Sequence, residues 1–199
     1  MTKTIDFYFD FTSPYGYLAS QVIDDLAAAG GATTRWHAFM VTAAYKQHNS
    51  TNPLVHPEKD KYFRVDLPRT ARHLGVPFTF PATWPENLVA AGRAFGWIDD
   101  RDPVAAKRFA KAALRAYWAE GKPLADPETV ADVAAAAGED RAKLRAALDD
   151  AAVKQRFIER GNAVLAKGIF GSPQAVFRGE LFWGTDRLDQ LKAALARST

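Results

Sequence analysis

The chain has 199 residues, 48% of them apolar and 25% charged, with a net charge of +3; that is enough apolar surface to offset the entropy of ordering it, and disorder is excluded. It contains no cysteine, which excludes disulfides, thiolate metal sites, cysteine nucleophiles and any dithiol redox cycle run by its own side chains. Lys and Arg alternate with Asp and Glu through the middle of the chain, so its small basic excess is read as solvated helix faces and no nucleic-acid partner is expected.

The first four residues lead straight into an alternating pattern without an apolar signal segment, and no run is long enough to cross a bilayer. A cytoplasmic chain with no membrane partner is the expectation. Residues 5–11, rich in aromatics, predict a first strand. Ser13 then stands as a helix cap with Pro14 at the first helical position, and Tyr17, Leu18, Val22, Ile23, Leu26 and Ala27 recur at helical spacing until Gly30 and Gly31. Residues 33–39 predict a second strand, which a short connection of this kind places parallel to the first.

Residues 45–57 are polar and broken by Pro53 and Pro57, and predict a loop. Helical periodicity follows over residues 62–74, 87–95, 103–120, 127–137 and 141–149, punctuated by Gly and Pro, and a further helix over 151–167 leads back to strand-like sequence. Residues 175–177 and 181–183 flank Arg178, Gly179 and Glu180 as a hairpin, and Leu188, Leu191, Ala194 and Leu195 mark a terminal amphipathic helix. The two ends therefore build one mixed sheet around a helical block.

Ser13 is the first candidate for chemistry, and as a plain cap it is worth about 1 kcal/mol. A hydroxyl nucleophile needs an adjacent base, and no triad pattern supplies one. Far along the chain, Gly171, Ser172 and Pro173 precede the terminal hairpin, where a cis bond before Pro173 is expected. Trp84, Phe39 and Tyr45 are apolar candidates for an aromatic pocket, with core packing as their ordinary role. His37, His48, His56 and His73 lack metal-ligand spacing. Asp99 with Asp100 reads as an exposed helix end.

Five fragments in order, residues 9–19 (FDFTSPYGYLA), 66–69 (DLPR), 116–118 (AYW), 168–173 (GIFGSP) and 182–188 (FWGTDRL), make the chain resemble the 2-hydroxychromene-2-carboxylate isomerases and their relatives, the kappa-class glutathione transferases. The resemblance spans essentially the whole chain. It implies a thioredoxin-like α/β fold of DsbA and kappa type, with residues 1–44 and 168–199 forming the mixed-sheet domain and residues 45–167 a large all-helical insertion. The Cys-X-X-Cys of the wider superfamily falls on Ser13, Pro14, Tyr15 and Gly16, so disulfide exchange is excluded.

The same resemblance implies glutathione as cofactor, with Ser13 hydrogen-bonded to its sulfur. Ser172, before a cis Pro173, would pair its main chain with the tripeptide, Thr185 and Asp186 would hold the γ-glutamyl end, and Asn52 and Lys59 would contact glutathione or a substrate carboxylate. The family commonly carries Val or Leu in place of Ser172 and Asn or Ser in place of Thr185. The implied activity is isomerisation of small 2-hydroxychromene-2-carboxylate-type aromatic substrates by reversible thiolate addition, in a homodimer. The alternatives are a kappa-like transferase or peroxidase, and a non-catalytic thioredoxin-like binding module.

Overall fold

Ile5, Phe7 and Phe9 alternate along the first strand, and all three are buried with Trp36 of the second. The computed structural model describes residues 3–197; Met1, Thr2, Ser198 and Thr199, at the ends of the expected sheet domain, lie outside the described residues. Strand β1 (Lys3–Phe9) leads through helix α1 (Pro14–Ala29) to β2 (Ala32–Ala38). The two strands are parallel, in register from Lys3 opposite Ala32 to Phe9 opposite Ala38.

Seven helices follow: α2 (Val41–Gln47), α3 (Pro57–Leu74), α4 (Val89–Asp99), α5 (Pro103–Trp118), α6 (Pro127–Ala136), α7 (Arg141–Asp149) and α8 (Ala151–Ala166). The last four each start on an aspartate cap, Asp102, Asp126, Asp140 and Asp150, whose carboxylate accepts from first-turn N–H groups. The chain returns as β3 (Gln174–Phe177) and β4 (Glu180–Trp183) and ends in α9 (Leu188–Ala196). The sheet order is β2-β1-β3-β4, with β3 antiparallel to both neighbours. Arg178 and Gly179, at φ 52° and 81°, make the two-residue hairpin turn, the backbone that matches strand twist. This is the mixed sheet with a helical block expected above.

Three expectations are corrected. The first strand stops at Phe9 and not Phe11, because the Asp10 carboxylate accepts the N–H of Thr12 at 2.8 Å and turns the chain. The predicted loop over 45–57 is partly helical. Met40 gives α2 no side-chain cap; the acceptor is Asp10, which takes the N–H of Val41 at 2.7 Å from 31 residues away. α3 begins at Pro57, five residues early, with Glu58 and Asp60 in its first turn, where carboxylates favour a helix start. A second cis bond, Trp84–Pro85, has no signal in the sequence.

One hydrophobic core runs from the sheet into the helices. Phe9 meets Phe95 of α4 edge-on at 5.4 Å between centroids, and Phe11 meets Phe109 of α5 at 6.2 Å. Each such ring removed from water contributes about 1.5–3 kcal/mol. Among the described residues, no helix is long and apolar enough to cross a membrane.

Asp99 is the fourth correction: its side chain is 1% exposed. Arg35 of β2 grips both its oxygens at 2.5 and 2.9 Å, and Arg160 of α8 adds a bond at 2.7 Å. Burial alone would raise this carboxyl; the two guanidinium groups outweigh it and hold it below the usual carboxylate range. Because the folded pKa is depressed, the stabilisation is complete above the unfolded value near 4 and disappears as pH falls through the folded one. Asp99→Ala is therefore expected to lower the unfolding free energy by about 2–3 kcal/mol at neutral pH. Urea titrations repeated toward acid pH should show the difference from wild type shrinking below about pH 4.

Candidate active site

Segments from both ends of the chain meet where α1 begins. Ser13 is extended (φ −90°, ψ 113°), and its Oγ accepts the N–H of Gly16 at 3.0 Å, so it is a true cap. The same hydroxyl donates its proton to the carbonyl of Ser172 at 3.0 Å. Ser172 is joined to Pro173 by a cis bond, as expected. In return the Oγ of Ser172 accepts the N–H of Asp10 at 2.9 Å, so the two loops are stitched in both directions.

Gly16 makes this approach possible. A Cβ on it would stand 2.7 Å from Ser172 Oγ and 3.1 Å from Ser13 Cβ. The helix start and the cis-proline loop are thus in direct contact, too close to admit even a methyl group on residue 16. On the far side of that loop, the N–H of Gly184 donates to Pro173 O at 3.0 Å, which sets the 3-10 turn Thr185–Arg187 beside it. Thr185 is half-buried; Asp186 is exposed and paired with Arg187 at 2.8 Å.

The helical block holds the turn from the other side. Trp118 of α5 donates its indole N–H to Phe11 O at 3.0 Å. Tyr15 of α1 donates to Asp66 of α3 at 2.5 Å, and Asp66 also accepts from Arg69 at 2.5 Å. Burial and then Asp66 raise the Tyr15 phenol, which keeps its proton and remains a donor.

Ser13, Ser172, Pro173, Thr185 and Asp186 are therefore brought to one corner of the sheet. Asn52 and Lys59 are not joined to them: among the described residues, no hydrogen bond links either to Ser13 or Ser172. Asn52 caps the 3-10 turn Pro53–Val55 through Leu54 N–H at 3.0 Å, and Lys59 is exposed in the first turn of α3. Trp84 packs with Phe80 and Trp118, and Tyr45 against the cluster of Tyr8 and Phe39.

Two residues of the site had no role in the sequence reading. Asp10 is buried and holds the turn through Thr12 and α2 through Val41; burial pushes its carboxyl up, against the pull of those N–H donors. Its signal was a short polar residue closing an apolar alternation. Gln174, buried in β3, accepts the N–H groups of Phe170 and Gly171 at 2.7 and 2.9 Å and shapes the approach to Ser172.

A family model described as a DSBA-like thioredoxin domain matches residues 4–196. The 2-hydroxychromene-2-carboxylate isomerase of Pseudomonas putida is 31% identical over 195 residues, 97% of this chain and 94% of its own length. The glutathione S-transferase kappa 2 of Caenorhabditis elegans is 26% identical over 213 residues, covering 98% of this chain and 92% of its own. A solved 2-hydroxychromene-2-carboxylate isomerase superposes with a TM-score of 0.87 at 29% identity, over 98% of this chain and 95% of the other.

The close approach at Gly16 can be tested. Gly16→Ala is expected to destabilise the protein by about 1–3 kcal/mol, since the methyl group overpacks against Ser172 Oγ and Ser13. Ser172→Ala in the same chain removes the nearest clash, so thermal unfolding of the double variant should recover part of the loss. Strict additivity of the two substitutions would show that the contact is not what limits residue 16.

Proposed function

Since this chain belongs to the DsbA-like thioredoxin family, on the branch of the 2-hydroxychromene-2-carboxylate isomerases and kappa-class glutathione transferases, we propose that it is a glutathione-dependent isomerase of 2-hydroxychromene-2-carboxylate-type aromatic substrates. The observation that carries the reading is the Ser13 hydroxyl at the start of α1, placed against the cis-proline loop and donating to its Ser172 carbonyl.

The residues fit the cofactor. With no cysteine of its own, the chain must borrow a thiol, and this corner offers a hydroxyl donor and a helix N-terminus for an anionic sulfur. Ser172 presents main chain for a peptide, while Thr185 and Asp186 offer a hydroxyl and a carboxylate for an ammonium end. Asn52 and Lys59 are assigned here to the outer contacts. Glutathione, when bound, would supply a sulfur nucleophile for the conjugated double bond of the ring-opened substrate, so that this bond can turn before the sulfur leaves unconsumed.

The energies close. Lowering an ordinary thiol pKa near 8.5 by about two takes about 2.7 kcal/mol. A helix N-terminus contributes about 0.3–2 kcal/mol and a hydrogen bond to a charged acceptor about 1.5–3 kcal/mol. Ser13 must turn its proton from Ser172 O toward the sulfur to make that bond, and it stabilises the charged sulfur both before addition and as it leaves. Trp118 and Asp66 keep the turn from yielding while it does so.

The likeness to the kappa 2 transferase supports a second reading, in which the same pocket conjugates glutathione to another electrophile. Products separate the two: unchanged glutathione with a rearranged substrate marks the isomerase, a stable conjugate the transferase. For either, Ser13→Ala is expected to cut kcat/KM by about 10- to 100-fold, the worth of one charge-assisted hydrogen bond. The ultraviolet thiolate band of bound glutathione should then titrate at higher pH. Full activity in that variant would sink the assignment.

A further inference from the structure

Beside the turn that carries Ser13 lies a cavity of about 250 Å³, with Thr12 in its wall. The carboxyl ends of β1 and β2, the starts of α2 and α4, and α8 enclose the rest. Crevices outside the carboxyl ends of strands are where α/β sheets take their ligands. Phe11, Phe39, Val89 and Phe157 make the walls apolar. A dry cavity of about 150 Å³ already holds benzene, so this one has room for a ring with substituents. Phe157 comes this close to α4 because residue 92 is glycine: a Cβ there would stand 2.4 Å from its ring.

The charge of the cavity is one-sided. Its ionisable lining residues are Asp10 and Glu86, both acidic, and among the described residues none that lines it is Lys or Arg. Thr12, Thr42 and Asn87 add neutral polar groups. Both Asp10 oxygens already hold backbone N–H groups, so a substrate carboxylate entering first would meet two acidic residues and no cation to balance it. A hydroxyl on the ring, both donor and acceptor, could instead pair with the hydroxyls of Thr12 and Thr42 or the amide of Asn87.

From these walls the geometry points to a phenol subsite: the cavity receives the neutral aromatic end of the substrate, which bears a free hydroxyl in the ring-opened isomer, and keeps the carboxylate outside. The inference rests on the isomerase reading for its substrate class, but not on the contacts of glutathione. It makes Val89 and Phe157 specificity-determining residues, since both line the cavity that Thr12 borders.

Phenol and benzoate are matched one-ring probes of opposite character. Titrated separately into the full-length protein and followed by NMR chemical shifts, phenol is expected to bind at least about tenfold more tightly than benzoate, the penalty of placing like charges together. Its shifts should fall on Phe11, Phe39 and Phe157. Val89→Phe, which narrows the cavity, should weaken phenol at least about fivefold, with circular dichroism reporting an unchanged fold. Benzoate binding as well as phenol, phenol leaving those rings unmoved, or phenol indifferent to Val89→Phe would each overturn the subsite. Glutathione titrated in parallel keeps the two readings apart. Phenol selectivity without glutathione binding supports the subsite while sinking the cofactor assignment; glutathione binding without phenol does the reverse.

Discussion

A carboxyl group enclosed by protein must find donors, and the way Asp10 finds them sets the geometry on which the rest of the site depends. Left unpaired, a buried charge of this kind costs several kcal/mol. Asp10 avoids that by holding Thr12 N–H with one oxygen and Val41 N–H with the other. The first bond ends the strand and presents Ser13; the second starts α2. The main chain of the same residue donates to Ser172 Oγ and accepts from Ser13 N–H at 3.0 Å. The strand end, the helix start and the cis-proline loop therefore cannot shift independently.

The helical block makes this corner rigid from outside. Trp118 reaches from α5 to Phe11 O, and Asp66 from α3 to the Tyr15 phenol, so both flanks of Ser13 are anchored to helices that also share the core of the sheet. At the opposite end of α4, Asp99 binds Arg35 and Arg160 and ties β2 to α8. Ion pairs of this sort add little where water screens them, but this carboxylate is enclosed and held by three bonds. These ties explain why five short fragments, scattered over the chain, travel together: each places an atom on the same turn or loop.

What could be read in the sequence was what local chemistry decides. Ser13 with Pro14 opens α1, residues 141–149 form α7, and Arg178 with Gly179 turns the hairpin, each through neighbours in the chain. What could not be read depended on distant partners. α2 is capped by a residue 31 positions earlier, and Asp99 is buried because guanidinium groups 64 and 61 positions away neutralise it. The candidate site divides the same way: the cap and the cis-proline loop were visible, whereas Asp10 and Gln174 each looked like one polar residue at a strand end and showed their roles only once the loops were folded together.

A serine has one proton to give. In this structure Ser13 gives it to the carbonyl of Ser172, and an occupant that draws it away leaves that carbonyl without its donor. A guest with its own amide hydrogen can restore the balance as it arrives, exchanging one bond for another. A simple mercaptan cannot, and must leave an oxygen stranded in a nearly closed corner. On the glutathione reading, the pairing of these two serines would therefore act as a filter, favouring thiols that are part of a peptide over thiols that are not.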